Sequence, residues 1–234
     1  MTLLRRLVLI VSIVVSGSLA LAVAATAAGG GTGGKGGALG PGEYTFTDTS
    51  ASATFGAPTA KGGIPQFLIS VDRNVSSFQP DEGQDSVTKA TTVTLQVNTA
   101  TITGFGCFTI DPSNFTVSKD LQKAALHTTL STPCPGKSGG SGLPASIRLD
   151  ITWAGNGVVA TSRNTNNFEC AGYALNTNFL AHAAGTTASG SVTLGSVSLW
   201  QLGPADASTL QSTETHSRIS GVEQAACFTL QFSA

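Results

Sequence analysis

Four cysteines, Cys107, Cys134, Cys170 and Cys227, are the residues of this chain best equipped for chemistry. No two of them form a C-x-x-C pair, so the spacing suits neither a zinc ribbon nor a dithiol redox centre. Four cysteines admit three disulfide pairings. Sequential pairing, Cys107 with Cys134 and Cys170 with Cys227, is the expected one, because each bridge would staple neighbouring strand and loop units.

Other constellations resemble catalytic motifs without completing one. Gly136-Lys137-Ser138-Gly139-Gly140 fits G-x-S-x-G. It resembles the GDSGG of chymotrypsin-like proteases, with Lys137 where that family has Asp. A nucleophile elbow needs a strand before it and a helix after it. Here Pro133 and Pro135 precede it and more loop residues follow. The one histidine upstream is the nearby His127, so the stretch reads as loop. The same Gly-Lys-Ser fails as a phosphate loop, because position 131, where the leading glycine belongs, is Ser.

His127, His182 and His216 are scattered, with no H-x-H or H-E-x-x-H, and read as strand-face residues. Asp81, Glu82 and Asp85 offer oxygens, but not at EF-hand spacing, and read as a solvated turn. Asp150 and Glu169 are the carboxylate pair to weigh for glycoside hydrolysis, which needs a separation of about 5–9 Å. Nothing in the sequence brings them together. Trp200 and Tyr173 are candidates for stacking against sugar rings. Trp153 shares the period of Ile147, Leu149 and Ile151 and belongs in a core. No catalytic residue, metal site or cofactor is expected from these patterns.

The elements that must position these residues begin after a leader. Arg5 and Arg6 precede an apolar run from Leu7 that ends in Ala24-Ala25-Thr26-Ala27-Ala28, the three-part pattern of a secretory signal peptide. Residues 1–27 are read as that peptide, with cleavage after Ala27. The alternative is a retained anchor, since the run approaches the roughly 20 residues that span a bilayer. Export places the cysteines where disulfides persist, and the expected location is secreted or extracellular. Residues 28–42 are glycine-rich (GGGTGGKGGALGPG from Gly29) and read as a flexible linker.

Charged residues make up 11% of the chain, and the formal net charge is −1. Typical soluble domains carry about 25%, so hydroxyls and amides take that place on the surface. No basic patch invites nucleic acid. No membrane partner is expected once the leader is gone.

From Glu43 onward the pattern turns to period two. Tyr44 and Phe46, then Phe67, Ile69 and Val71, then Val93, Leu95 and Val97 alternate with polar neighbours. Ile147 to Trp153, Val192 with Leu194, and Phe228, Leu230 and Phe232 do the same. Such alternation marks half-buried strands, and one polar face implies antiparallel pairing. Glycine and proline clusters at 62–65, 104–106, 133–144, 155–157 and 203–204 predict turns. Arg163 to Asn167 reads as an Asn-rich loop. Residues 118–126 read as a turn, or one helical turn, entering a strand. The expected fold is all-β: a single disulfide-stapled antiparallel β-sandwich over 43–234, with a small β-barrel as the alternative.

FTVSKDLQKAALHTTL (115–130), LDITWAGNG (149–157) and ASGSV (188–192) resemble stretches of a group of exported bacterial β-rich proteins with no known activity. The resemblance implies one secreted β domain, favours strand over 121–130 and implies no reaction. The expected function is a secreted or cell-surface β-sandwich that binds or fills structural space without catalysis. The alternatives are a carbohydrate-binding module and a secreted hydrolase. The expected partner is a glycan or another cell-surface component.

Overall fold

The computed structural model describes residues 40–56, 66–98, 102–135, 142–170, 172–195 and 198–221, with the backbone alone at 66 and 198–200. The strands are β1 (Gly42–Gly56), β2 (Gln66–Pro80), β3 (Ser86–Asn98), β4 (Thr103–Thr109), β5 (Phe115–Val117), β6 (Lys123–Leu130), β7 (Ile147–Cys170), β8 (Tyr173–Leu194), β9 (Ser198–Leu202) and β10 (Ala207–Ser220). All pair antiparallel in one sheet ordered β4-β3-β2-β1-β10-β8-β7-β6-β5, with β9 also on β8.

At one end this sheet folds over into two layers. Ala51, Ala53 and Phe55 of β1, Phe67, Ile69 and Val71 of β2, and Val93, Leu95 and Val97 of β3 form one inner face. Ile147, Leu149, Ile151 and Trp153 of β7, Leu126 and Leu130 of β6, and Val192 and Leu194 of β8 form the other. These are the period-two positions of the sequence, and each fully buried aliphatic side chain contributes about 1.5–3 kcal/mol. The layers also meet through polar contacts. Trp153 Nε1 donates to the Ser52 carbonyl at 3.0 Å. Arg73 Nη1 donates to the Phe115 carbonyl at 3.3 Å, and its guanidinium carbon stands 5.5 Å from the Phe115 ring centroid.

The architecture is therefore a sandwich made from one continuous sheet, not a closed barrel. Its seam runs between β4 and the segment after β6. The Cys107–Cys134 disulfide crosses that seam with a Cα separation of 5.4 Å. Thr109 N donates to the Thr132 carbonyl at 2.8 Å and Cys134 N to the Cys107 carbonyl at 3.0 Å. Outside these contacts and one bridge, Phe108 to Pro133, no ladder closes it among the described residues.

Two expected turns are strand instead. Gly104 and Gly106 lie inside β4, paired with Val97 and Leu95. At 155–157 the chain does not reverse. The register shifts between Gly155 and Val159, so several β7 residues face one on β8, a bulge that the positive φ of Gly157 (83°) permits. The predicted turn at 203–204 does separate β9 from β10. Residues 118–122 form a tight turn rather than a helix. Ser118 Oγ accepts from the amides of Gln122 and Lys123, and Leu121 takes a φ of 55°.

Beyond the bulge the long strands leave the sandwich as an extension of the sheet. It contains the first part of β1, the ends of β2 and β10, the start of β3 and β8, and β7 from Val159 to Cys170. The predicted Asn-rich loop is part of this β7 segment. Its residues are polar on both sides, so no alternation announced it.

Candidate functional site

Strand pairing fixes which side chains share a face of the extension. The face continuous with the sandwich core loses its opposing layer here and meets solvent. Its residues form cross-strand rows. One row is Thr165, Asn178, His216 and Thr45, on β7, β8, β10 and β1. The next is Asn167, Asn176, Arg218 and Glu43, and another is Thr161, His182, Ser212 and Thr49. Strands lie about 4.8 Å apart, and same-face neighbours along a strand about 6.6 Å apart. Between the Thr165 and Thr161 rows lies Arg163, Leu180, Glu214 and Thr47, so the grid is one of hydroxyls, amides and imidazoles interspersed with charged groups and one leucine.

Short hydrogen bonds hold the grid in place. Thr165 Oγ1 donates to Asn178 Oδ1 at 3.0 Å, and Thr161 Oγ1 lies 2.9 Å from His182 Nδ1. His216 Nε2 stands 2.7 Å from Glu214 Oε1. Arg218 Nη2 pairs with Asp81 Oδ1 at 2.8 Å, and its Nη1 lies 3.7 Å from Glu43. The Arg218 cation therefore meets two carboxylates at this end of the face. Asn167, Asn176, Asn178 and His216 are exposed. Sequence reasoning missed these residues because it placed Arg163 to Asn167 in a loop. The strand chemistry of Thr161 and Thr165, spaced by four, was the available signal.

The reverse face of the extension differs. Tyr44 stacks on Phe78 with ring centroids 4.2 Å apart, and Phe168 meets Tyr173 edge-on at 6.3 Å. Asp48 and Asp72 sit on this face in diagonal positions of β1 and β2. Burial pushes the Asp48 carboxyl up to about 7, and the Asp72 charge adds to the shift. Burial also raises Asp72, while the Ser70 hydroxyl, donating to its Oδ2 at 3.1 Å, pulls it back down. Tyr44 is raised by burial and by Tyr173. A shallow depression beside Ala160, Ser162, Phe179, Ala181, Gln211 and Thr213 completes this face.

The sequence-predicted aromatics do not form one platform. Tyr173 is 6% exposed, so it offers no open ring face. Trp200 pairs in backbone register with Val192, near the far end of β8, on the order of 60 Å along the strand from Tyr173. Asp150 and Glu169 are separated in the same way. Both lie on β7, on the order of 60 Å apart, so they cannot act as a glycosidase pair.

His127 Nδ1 and Asp150 Oδ1 lie 2.9 Å apart on the outer surface. Ser191 is the next residue in that row, on the far side of Asp150. A serine nucleophile needs the imidazole as its immediate neighbour, with the carboxylate behind it. Here the carboxylate stands in the middle, which leaves Ser191 roughly 10 Å from the imidazole. Ser138 lies outside the described residues. Asp81 is tied to Arg218, and Glu82 and Asp85 are exposed. Among the described residues no three His, Cys, Asp or Glu side chains gather as a metal set. Cys170 is disulfide-bonded, and Cys227 lies outside the described residues.

No protein-family model, no curated protein and no solved structure matches the chain. No helix among the described residues is long and apolar enough to cross a membrane.

Proposed function

We propose that this chain is an exported, non-catalytic β-sheet protein that binds a neutral, hydroxyl-rich polymer, a polysaccharide in the first instance, on the grid face of its extension. The observation that carries the proposal is the row of Thr165, Asn178, His216 and Thr45, set in register between rows that each carry one arginine and one glutamate. Donors and acceptors at strand spacing suit a chain of sugar hydroxyls, and the balanced charge suits an uncharged ligand. The leader pattern and the Cys107–Cys134 disulfide support export.

The test is co-sedimentation with insoluble cellulose, chitin and xylan. Depletion of the protein from the supernatant by at least one polymer is expected. The triple variant Thr161→Val, Thr165→Val, Asn178→Val should stay in the supernatant, because valine keeps strand propensity while removing the hydrogen-bonding groups. Absence of binding to every polymer rejects the proposal, and so does equal binding by the variant.

A further inference from the structure

The extension is bounded by two strand edges, and they are built differently. β7 pairs with β8 along residues 159–170, whereas β6 covers its other side only at 147–154. Among the described residues, no strand lies on the outer side of 159–169. Every residue from 159 to 167 is exposed. Such an edge presents unpaired N–H and C=O groups to any second strand, and proteins guard against this with lysine, proline or brevity. The opposite edge is guarded. β3 runs beyond its pairing with β4 only at 86–91, and Lys89 stands in that stretch. The β7 edge is longer and carries neither lysine nor proline. Its charged residues are Arg163 and Glu169, both exposed and both on the grid face. Neither forms an ion pair with a described residue.

The placing of these two charges names the occupant. Arg163 and Glu169 flank Asn166 at equal distances along the strand. Two copies of β7 paired antiparallel about Asn166 therefore bring Arg163 of each opposite Glu169 of the other. Residues directly opposite in such a pair project to the same face, so the charges meet. Registers centred on Arg163 or on Glu169 set like charges opposite, which is destabilising. In the Asn166 register Thr165 faces Asn167, and Asn166 faces Asn166 of the second copy, so hydroxyl and amide groups meet amides. The two sandwiches then lie at opposite ends of the joined sheet, clear of one another.

We propose that the outer edge of β7 is a self-association surface, on which a second copy of this chain adds its own β7 antiparallel about Asn166. Backbone hydrogen bonds supply the attraction, and the two Arg163–Glu169 pairs set the register. The contact is isologous, so it closes at two copies. It joins the sheets edge to edge, which puts both grid faces on the same side as one wider surface. The proposal stands or falls independently of what the grid binds.

Sedimentation equilibrium of the mature, oxidised protein over a dilution series tests this. The mean mass should rise with concentration from one chain to two and go no further. Arg163→Glu alone, or Glu169→Arg alone, turns both ion pairs into repulsions, and each should weaken association by about tenfold or more. Both changes in one chain set opposite charges face to face again and should restore the dimer. An equimolar mixture of the two single variants should form the mixed dimer for the same reason. If a variant loses the far-UV circular dichroism of a β protein, hydrogen exchange of the wild type is read in its place. Amides on the outer side of β7 within 163–169 should then exchange more slowly as concentration rises, and unchanged exchange there overturns the proposal. A monomer at every concentration overturns it, as does a dimer that both single reversals leave unchanged. Open-ended growth in mass also overturns it, because that is the mark of head-to-tail pairing with the β3 edge of the next copy.

Discussion

The indole Nε1 of Trp153 on β7 donates to the backbone carbonyl of Ser52 on β1 at 3.0 Å, joining two strands that are not neighbours in the sheet. The contact lies where the sheet splits into layers. It fixes how the β1 side of the sandwich sits over the β7 side, and Trp153 is 1% exposed.

Replacing Trp153 by Phe removes the hydrogen bond to the Ser52 carbonyl and leaves space that the smaller ring does not fill. The expected loss is about 2–4 kcal/mol. Equilibrium urea unfolding should show the midpoint falling with the slope unchanged. A midpoint equal to that of the wild type would remove this contact from the account of how the layers are held.

The seam depends on Cys107 and Cys134. Their sequence separation of 27 places the loop in the range where cross-linking the unfolded chain is worth about 3.5 kcal/mol. Cys107→Ser with Cys134→Ser should therefore unfold at markedly lower temperature while keeping its strand signal, because two backbone hydrogen bonds still cross the seam. Differential scanning calorimetry of the variant against the wild type measures the shift. An unchanged transition would mean that the seam holds without its bridge.

The sandwich was legible in the sequence, and the extension was not. Ile147, Leu149, Ile151 and Trp153 announced themselves because one side of the strand meets a core and the other meets water. The second half of β7, from Val159 to Cys170, meets no core on either side, so Thr161, Arg163, Thr165 and Asn167 alternate with residues as polar as themselves. Gly155 and Gly157 resembled a turn because a bulge and a reversal need the same backbone freedom. The sequential pairing of Cys107 with Cys134 was readable. The burial of Tyr173 was not, since it depends on which face of β8 is covered, and that face changes along the strand. Asp48 likewise gave no signal, because its proton affinity follows from burial.

The pH dependence of stability should carry the mark of Asp48. Its folded-state carboxyl titrates near 7, against an ordinary value of 3.8. The protonated form is thus favoured on folding. The contribution is fully present below about pH 4 and is lost as pH rises through 7. Asp48→Asn removes this loss, so it should be more stable than the wild type at pH 8 by up to about 4 kcal/mol. At pH 4 the two should be nearly equal. Thermal melts at both pH values decide the matter, and equal stabilities at pH 8 would contradict it.

Export is tested by the mass of the protein recovered outside the cell. Loss of residues 1–27 is expected, with the A-x-A pattern at Ala25-Thr26-Ala27 directing the cut. Full-length protein retained in the membrane fraction would argue for the anchor instead.

The central claim is that the grid face binds a neutral polysaccharide, and backbone NMR of the labelled protein during titration with soluble cello- and xylo-oligosaccharides tests it most directly. The expected shifts cluster at 161–167, 176–182 and 212–218, and leave the sandwich and the tyrosine face unmoved. Shifts centred on Tyr44 and Tyr173, or no shifts at millimolar concentrations of either sugar series, would contradict it.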